Sequence, residues 1–164
     1  TDMDPIYIRS MNEQDIPGAA QVMAKAFNTS ALHSEQQLAE ISAKGKLCKA
    51  FVATRADKVI GLAICERKGS TPQNPGLTIE LLAVDKDQRS KGIGGGLMRH
   101  TERFIQHQWL DGKPADVLIE DLTKRGNPMS RYYEKMGYQE WFGRSDNDMP
   151  LLYKTLKPPA PKTP

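Results

Sequence analysis

The chain has 164 residues, enough for one domain with its own core. Hydrophobic residues make up 38% and charged ones 26%, ordinary for a globular chain, and no apolar run approaches the roughly 18 residues a membrane helix needs. The formal charge of +3 falls to +1 without the two tail lysines, Lys157 and Lys162, so no basic field points to nucleic acid. The opening TDMDPIYIRS lacks signal-peptide character, which makes the cytoplasm the expected location. Cys48 and Cys65 form neither a disulfide framework nor a metal site and read as buried, reduced thiols.

In chain order, Ile6–Arg9 is a short strand. Asp15 offers a helix cap with Pro17 in the first turn, and Ile16, Ala19, Ala20, Met23, Ala26 and Phe27 line one face of the helix that follows. Ser34 reads as the cap of a second helix carrying Leu38 and Ile41 and closed by Gly45. Leu47–Thr54 and Val59–Arg67 flank Arg-Ala-Asp-Lys as an antiparallel hairpin. Leu77–Val84 is a long strand that feeds a glycine-rich segment. The helix after it shows Leu97, Met98, Thr101, Phe104, Ile105 and Trp109 on one face, with His100 and His107 off that stripe and solvated.

Ala115–Glu120 is a strand. Asn127 then caps a fourth helix, with Pro128 at its first position, Met129, Tyr132, Tyr133 and Met136 as its inner stripe and Gly137 as its end. Strands over Tyr138–Phe142 and Leu151–Leu156 complete the order β-α-α-β-β-β-α-β-α-β-β. The expected organisation is one domain over residues 1–156 and a flexible proline-rich tail over 157–164.

The segment Gln88–His100 places glycines at 92, 94, 95 and 96 where a helix begins, although each glycine costs a helix interior about 0.8–1 kcal/mol relative to alanine. Neither the P-loop nor the dinucleotide fingerprint fits: no Gly-Lys-Ser/Thr occurs, and the last glycine of G-x-G-x-x-G would fall on Leu97. What remains is Arg89-x-x-Gly92-x-Gly94 between strand and helix. Successive amides there can cradle a phosphate, with Arg89 and Lys91 supplying charge. An ordinary glycine-rich connection is the other reading of that turn taken alone.

Together with Glu80-Leu-Leu-Ala-Val-Asp85 before it and Tyr133-Glu-Lys-Met-Gly-Tyr138 after it, the segment Arg89-Ser-Lys-Gly-Ile-Gly94 resembles the GNAT N-acetyltransferase superfamily, over nearly all of residues 5–156. The resemblance implies an α/β (α+β) GNAT fold: a central mixed, mostly antiparallel sheet of about seven strands flanked by four helices. It implies acetyl-CoA as cosubstrate, with pantetheine on the backbone of Leu82, Ala83 and Val84 and pyrophosphate on Arg89, Ser90, Lys91, Gly92, Ile93, Gly94 and Gly95. Glu80 matches the carboxylate base, and Tyr133 the tyrosine that reaches the CoA sulfur. Asn127 falls one residue late against the family's CoA-contacting asparagine, so helix capping is its stronger reading.

The implied reaction is direct attack of a primary amine on acetyl-CoA in a ternary complex, with no metal. The acceptor is a small-molecule amine rather than a protein; Asp146 and Asp148 of the last loop are candidates to attract it, a polar hairpin loop being the other reading, and His33, between the first two helices in a region that lines the acceptor side in the family, reads as an ordinary loop residue. A homodimer is the self-association common in the family. The competing readings are a non-catalytic CoA-binding regulatory module and an acyltransferase using a longer acyl-CoA.

Overall fold

The structure is a computed structural model that describes residues 3–69, 75–89, 91–121 and 132–161. Seven strands, β1 (Ile6–Ser10), β2 (Cys48–Arg55), β3 (Lys58–Arg67), β4 (Leu77–Val84), β5 (Ala115–Glu120), β6 (Gln139–Arg144) and β7 (Pro150–Leu156), form one sheet in the order β1-β2-β3-β4-β5-β7-β6. Only β4 and β5 run parallel. Ala56 and Asp57, at φ 49° and 61°, turn the β2–β3 hairpin in the left-handed region that a two-residue connection demands.

Helices α1 (Ile16–Phe27) and α2 (Ala31–Ala43) cover one face, and α3 (Ile93–Gln108) the other. Alternation along β2 sorts the side chains between them. Ala50 and Val52 pack with Ala19, Ala20 and Leu38, while Phe51 and Ala53 pack with Leu97, Met98 and Ile105. Among the described residues no helix is long and apolar enough to cross a membrane.

Three α-helices lie among the described residues, not four. The expected helix over 128–136 lies partly outside them, at 128–131, and its described end, Glu134–Met136, is a single 3-10 turn closed by Gly137 at φ 94°. Of the sequence-assigned caps, Ser34 is displaced, and Asp15 keeps the N-cap position without a side-chain cap bond. α2 starts a turn early: the Ser30 hydroxyl accepts the His33 amide at 3.1 Å, and Ser34 lies buried inside the helix with its Oγ unpartnered. Leu32 in that first turn is 66% exposed, so it carries no apolar signal that would have announced the helix. His33 accordingly stands on α2, not between the helices.

Asp15 does not cap α1 with its side chain. Arg9 donates to its Oδ2 at 2.6 Å and its Oδ1 at 2.9 Å, and the Asn12 amide donates to Oδ2 at 2.9 Å. These bonds, led by Arg9, hold its carboxyl below the ordinary carboxylate range. A depressed folded pKa stabilises above the unfolded value and fades as pH falls through the folded one. Asp15→Asn is therefore expected to cost about 1 kcal/mol at pH 7, modest because Arg9 is 43% exposed. Thermal unfolding of variant and parent should converge as pH falls below the ordinary carboxylate range.

On the α3 side, Glu102 is buried. It accepts from the Tyr138 hydroxyl and from Lys154 Nζ, both at 2.8 Å, joining the helix to the β6–β7 end of the sheet. The apolar stripe of α3 gives no hint of it.

Candidate active site

The parallel pair β4–β5 makes register contact only at Leu77–Val117, Thr78–Leu118 and Ile79–Ile119. Beyond Ile79 the described strands part. Among the described residues Leu81 to Val84 pair with β3 alone, so the other edge of β4 meets no described strand there and offers main-chain groups to an extended ligand, apart from the Val84 carbonyl, which Arg89 holds. A β-bulge stands at that point: Cys65 opposes Ile79 and Ile64 opposes Leu81, so Glu80 is the extra residue. The bulge places Glu80 between the end of the parallel pairing and the open edge.

A cavity of about 530 Å³ lies there, between α1–α2 and the parted strands. Glu80, Leu82 and Tyr133 all line it, so the two candidate catalytic side chains and one expected pantetheine contact share a single space. Glu80 accepts from Thr78 Oγ1 at 2.6 Å and pairs with Lys68 Nζ at 2.6 Å, its side chain 31% exposed. Tyr133 is 2% exposed and packs 6.0 Å from the Tyr138 ring, whereas Tyr132 is 39% exposed. Burial, with the Asp121 charge, pushes the Tyr133 hydroxyl well above its ordinary pKa and keeps it protonated.

Among the charged residues of the lining, carboxylates outnumber cations. Glu40, Glu66 and Glu120 join Glu80, against Lys44, which pairs with Glu66 at 3.0 Å. The sequence offered Asp146 and Asp148 for this role. Neither lines the cavity: Asn147 between them does, and Asp148 is held by Arg144 at 2.6 Å. His33 does line it. Cys48 also lines the cavity, but burial, then Glu66, pushes its thiol up to about 11, and burial pushes Cys65 higher still. Both stay protonated and poorly nucleophilic.

From the end of β4 the chain passes through a 3-10 turn, Lys86–Gln88, into the glycine segment. Arg89 is tied back to β4 by Nε donating to the Val84 carbonyl at 3.2 Å. Gly92 needs its missing side chain for conformation, at φ 77°, since an added Cβ there would meet nothing within 4 Å. The first α3 bond is Gly96 N–H to the Gly92 carbonyl at 3.0 Å, so the amides of Ile93, Gly94 and Gly95 precede the helical ladder. Gly96 has a packing reason instead: a Cβ would stand 2.9 Å from Ile8 Cδ1 of β1. Not every glycine here serves a ligand. Ser90 and Asn127 lie outside the described residues.

Solved acetyltransferases share this fold. An aminoglycoside 6'-N-acetyltransferase complexed with coenzyme A superposes with TM-score 0.70 at 16% identity, over 94% of this chain and 99% of that one. Ard1 from Thermoplasma volcanium gives 0.67 at 18%, over 92% and 97%. The ribosomal-protein-S18-alanine N-acetyltransferase from Escherichia coli gives 0.63 at 20%, over 96% and 97%. No curated protein sequence matches the chain. The acetyltransferase (GNAT) domain family matches residues 46–140, which take in β2 to β5, the glycine turn and Tyr133, and the chain belongs to that family.

Proposed function

We propose that the protein is an N-acetyltransferase that passes an acetyl group from acetyl-CoA to a small cationic amine. The observation that carries this reading is the bulge at the parting of β4 and β5, with Glu80 and Tyr133 on one cavity. The residues present suit CoA: an open strand edge at Leu82, Ala83 and Val84 for pantetheine, and the amides of Gly92 to Gly95, with Arg89 and Lys91 close in sequence, for pyrophosphate. Acetyl-CoA supplies an activated acetyl thioester.

The protein's part is to manage protons. An alkyl ammonium with pKa ~10.4 is neutral in only about one molecule in 10³ at pH 7, a penalty of roughly 4–5 kcal/mol. Glu80 takes that proton, directly or through water, as the amine nitrogen attacks. Tyr133 donates a hydrogen bond to the departing sulfur. With its pKa raised above a thiol's ordinary ~8.5, complete proton transfer from it runs uphill, so its contribution is stabilisation of charge growing on sulfur. With the cavity-side thiol, Cys48, held protonated, transfer passes directly between the two substrates in a ternary complex. The four cavity carboxylates draw in a cationic amine and, with 530 Å³ available, favour a small one.

Calorimetric titration with acetyl-CoA, CoA and ATP, followed by thiol release across an amine panel, tests the reading. Micromolar binding of both CoA species without ATP binding, then turnover, is the expected result. Binding with no turnover on any amine would leave a regulatory CoA module. Glu80→Gln is expected to lower kcat/KM at pH 7 by about tenfold to a hundredfold. An unchanged kcat/KM would reduce Glu80 to the partner of Lys68.

A further inference from the structure

A second concavity, of about 370 Å³, lies against the C-terminal half of α3 and the β1–β2 edge. It is on the opposite face of the sheet from the active-site cavity, since Phe51 packs toward α3 while Ala50 and Val52 face α1 and α2. Its chemistry is one-sided. Lys49, His100, Arg103 and His107 line it, and no carboxylate does.

Some cations elsewhere are paired with acids: Arg9 with Asp15, Lys44 with Glu66, Lys68 with Glu80, Lys154 with Glu102. None of the four groove residues has a carboxylate or hydrogen-bond partner among the described residues. The Lys49 ammonium stands instead 5.8 Å from the ring centroids of both Phe51 and Phe104. His100 corrects the expectation of a solvated residue. It is half-buried, its ring edge-on to Phe51 at 4.7 Å. Burial, and then the Arg103 charge, hold it below its ordinary pKa.

Cations gathered on an aromatic floor, with no acid to neutralise them, leave a gap that one ligand chemistry closes. We propose that this groove binds a small aromatic anion, its carboxylate or phosphate received by Lys49, His100 and Arg103 and its ring laid against the partly exposed Phe104. The anion would offset the mutual repulsion of the cations, and the aromatic edges would select a flat body over a bare ion. The groups facing His100 are Arg103 and His107 from α3 and Lys49 from β2; β1 adds only the neutral Ser10 hydroxyl. A bound anion stabilises protonated His100, so affinity rises as pH falls from 8 to 6.

The test is titration of the full chain with benzoate and phenyl phosphate, beside acetate, inorganic phosphate and benzyl alcohol, followed at the His100 ring protons by NMR. At least one aromatic anion is expected to shift them and to bind about tenfold or more tighter than its bare counterpart, and the tighter one tells carboxylate from phosphate. Benzoate, whose own charge is constant over the range, reports the pH dependence. Paired Lys49→Ala and Arg103→Ala substitutions, both outside the core, should weaken binding about tenfold or more while the melting temperature holds. Unmoved His100 resonances at millimolar ligand, equal binding of the bare ions or of benzyl alcohol, or undiminished binding in the paired variant would each overturn the proposal.

Discussion

Gly94→Leu is expected to abolish CoA binding, a loss of about a hundredfold or more by calorimetry. Gly94 is buried in the first turn of α3, among amides that precede the helical ladder and have no acceptor within it. A pyrophosphate can use those amides only if nothing stands between them and its oxygens. The graded variant Gly94→Ala makes the argument sharper, because its two effects carry opposite signs. Gly94 is helical and not among the left-handed glycines, so alanine suits its backbone and should raise helix stability by up to about 1 kcal/mol. The same methyl group should weaken CoA binding. A melting temperature that rises while affinity falls would show that glycine is kept there for the ligand. Unchanged CoA binding in Gly94→Leu would remove the phosphate role from this turn.

The strands that build the site were legible to the residue. Leu77–Val84 and Ala115–Glu120 are apolar runs rich in β-branched and leucine side chains, bounded by Gly76 and Pro114, and both match the observed bounds. The hairpin was legible to within a residue at its strand ends, because two long apolar runs flank a short polar break. The bulge at Glu80 was not legible, since a bulge is a property of register and register depends on which residue of β3 lies opposite. Nor was the acidic lining. Glu40, Glu66, Glu80 and Glu120 come from α2, β3, β4 and β5, and no local pattern joins them. Asp146 and Asp148 were offered by the loop between the last two strands, but a loop's place does not decide which of its side chains reach a cavity, and Asn147 is the one that does. His100 was misjudged for a related reason: helical spacing put it off the α3 stripe, yet Phe51 of β2 reaches across to cover it.

Tyr133→Phe is expected to lower turnover by about a hundredfold while changing CoA affinity less than about threefold. The ring is 2% exposed and belongs to the main core, so removing only the hydroxyl leaves its packing unchanged. The hydroxyl has no interaction of its own to lose on binding a thioester, whose sulfur carries little charge. Its hydrogen bond gains strength only as the carbon–sulfur bond breaks and charge collects on sulfur. That asymmetry puts the loss in kcat rather than KM. Neighbouring Tyr132 supplies the control, because it is 39% exposed and does not line the cavity. Tyr132→Phe should leave turnover unchanged. Leaving-group dependence separates transition-state stabilisation from simple positioning. If Tyr133 relieves charge on sulfur, the deficit in Tyr133→Phe should shrink with an acetyl donor whose thiol is more acidic, since that sulfur needs less help to depart. A deficit equal for every donor would mean that the hydroxyl positions the thioester without stabilising its departing sulfur. No deficit at all would mean that Tyr133 is a core residue beside the site.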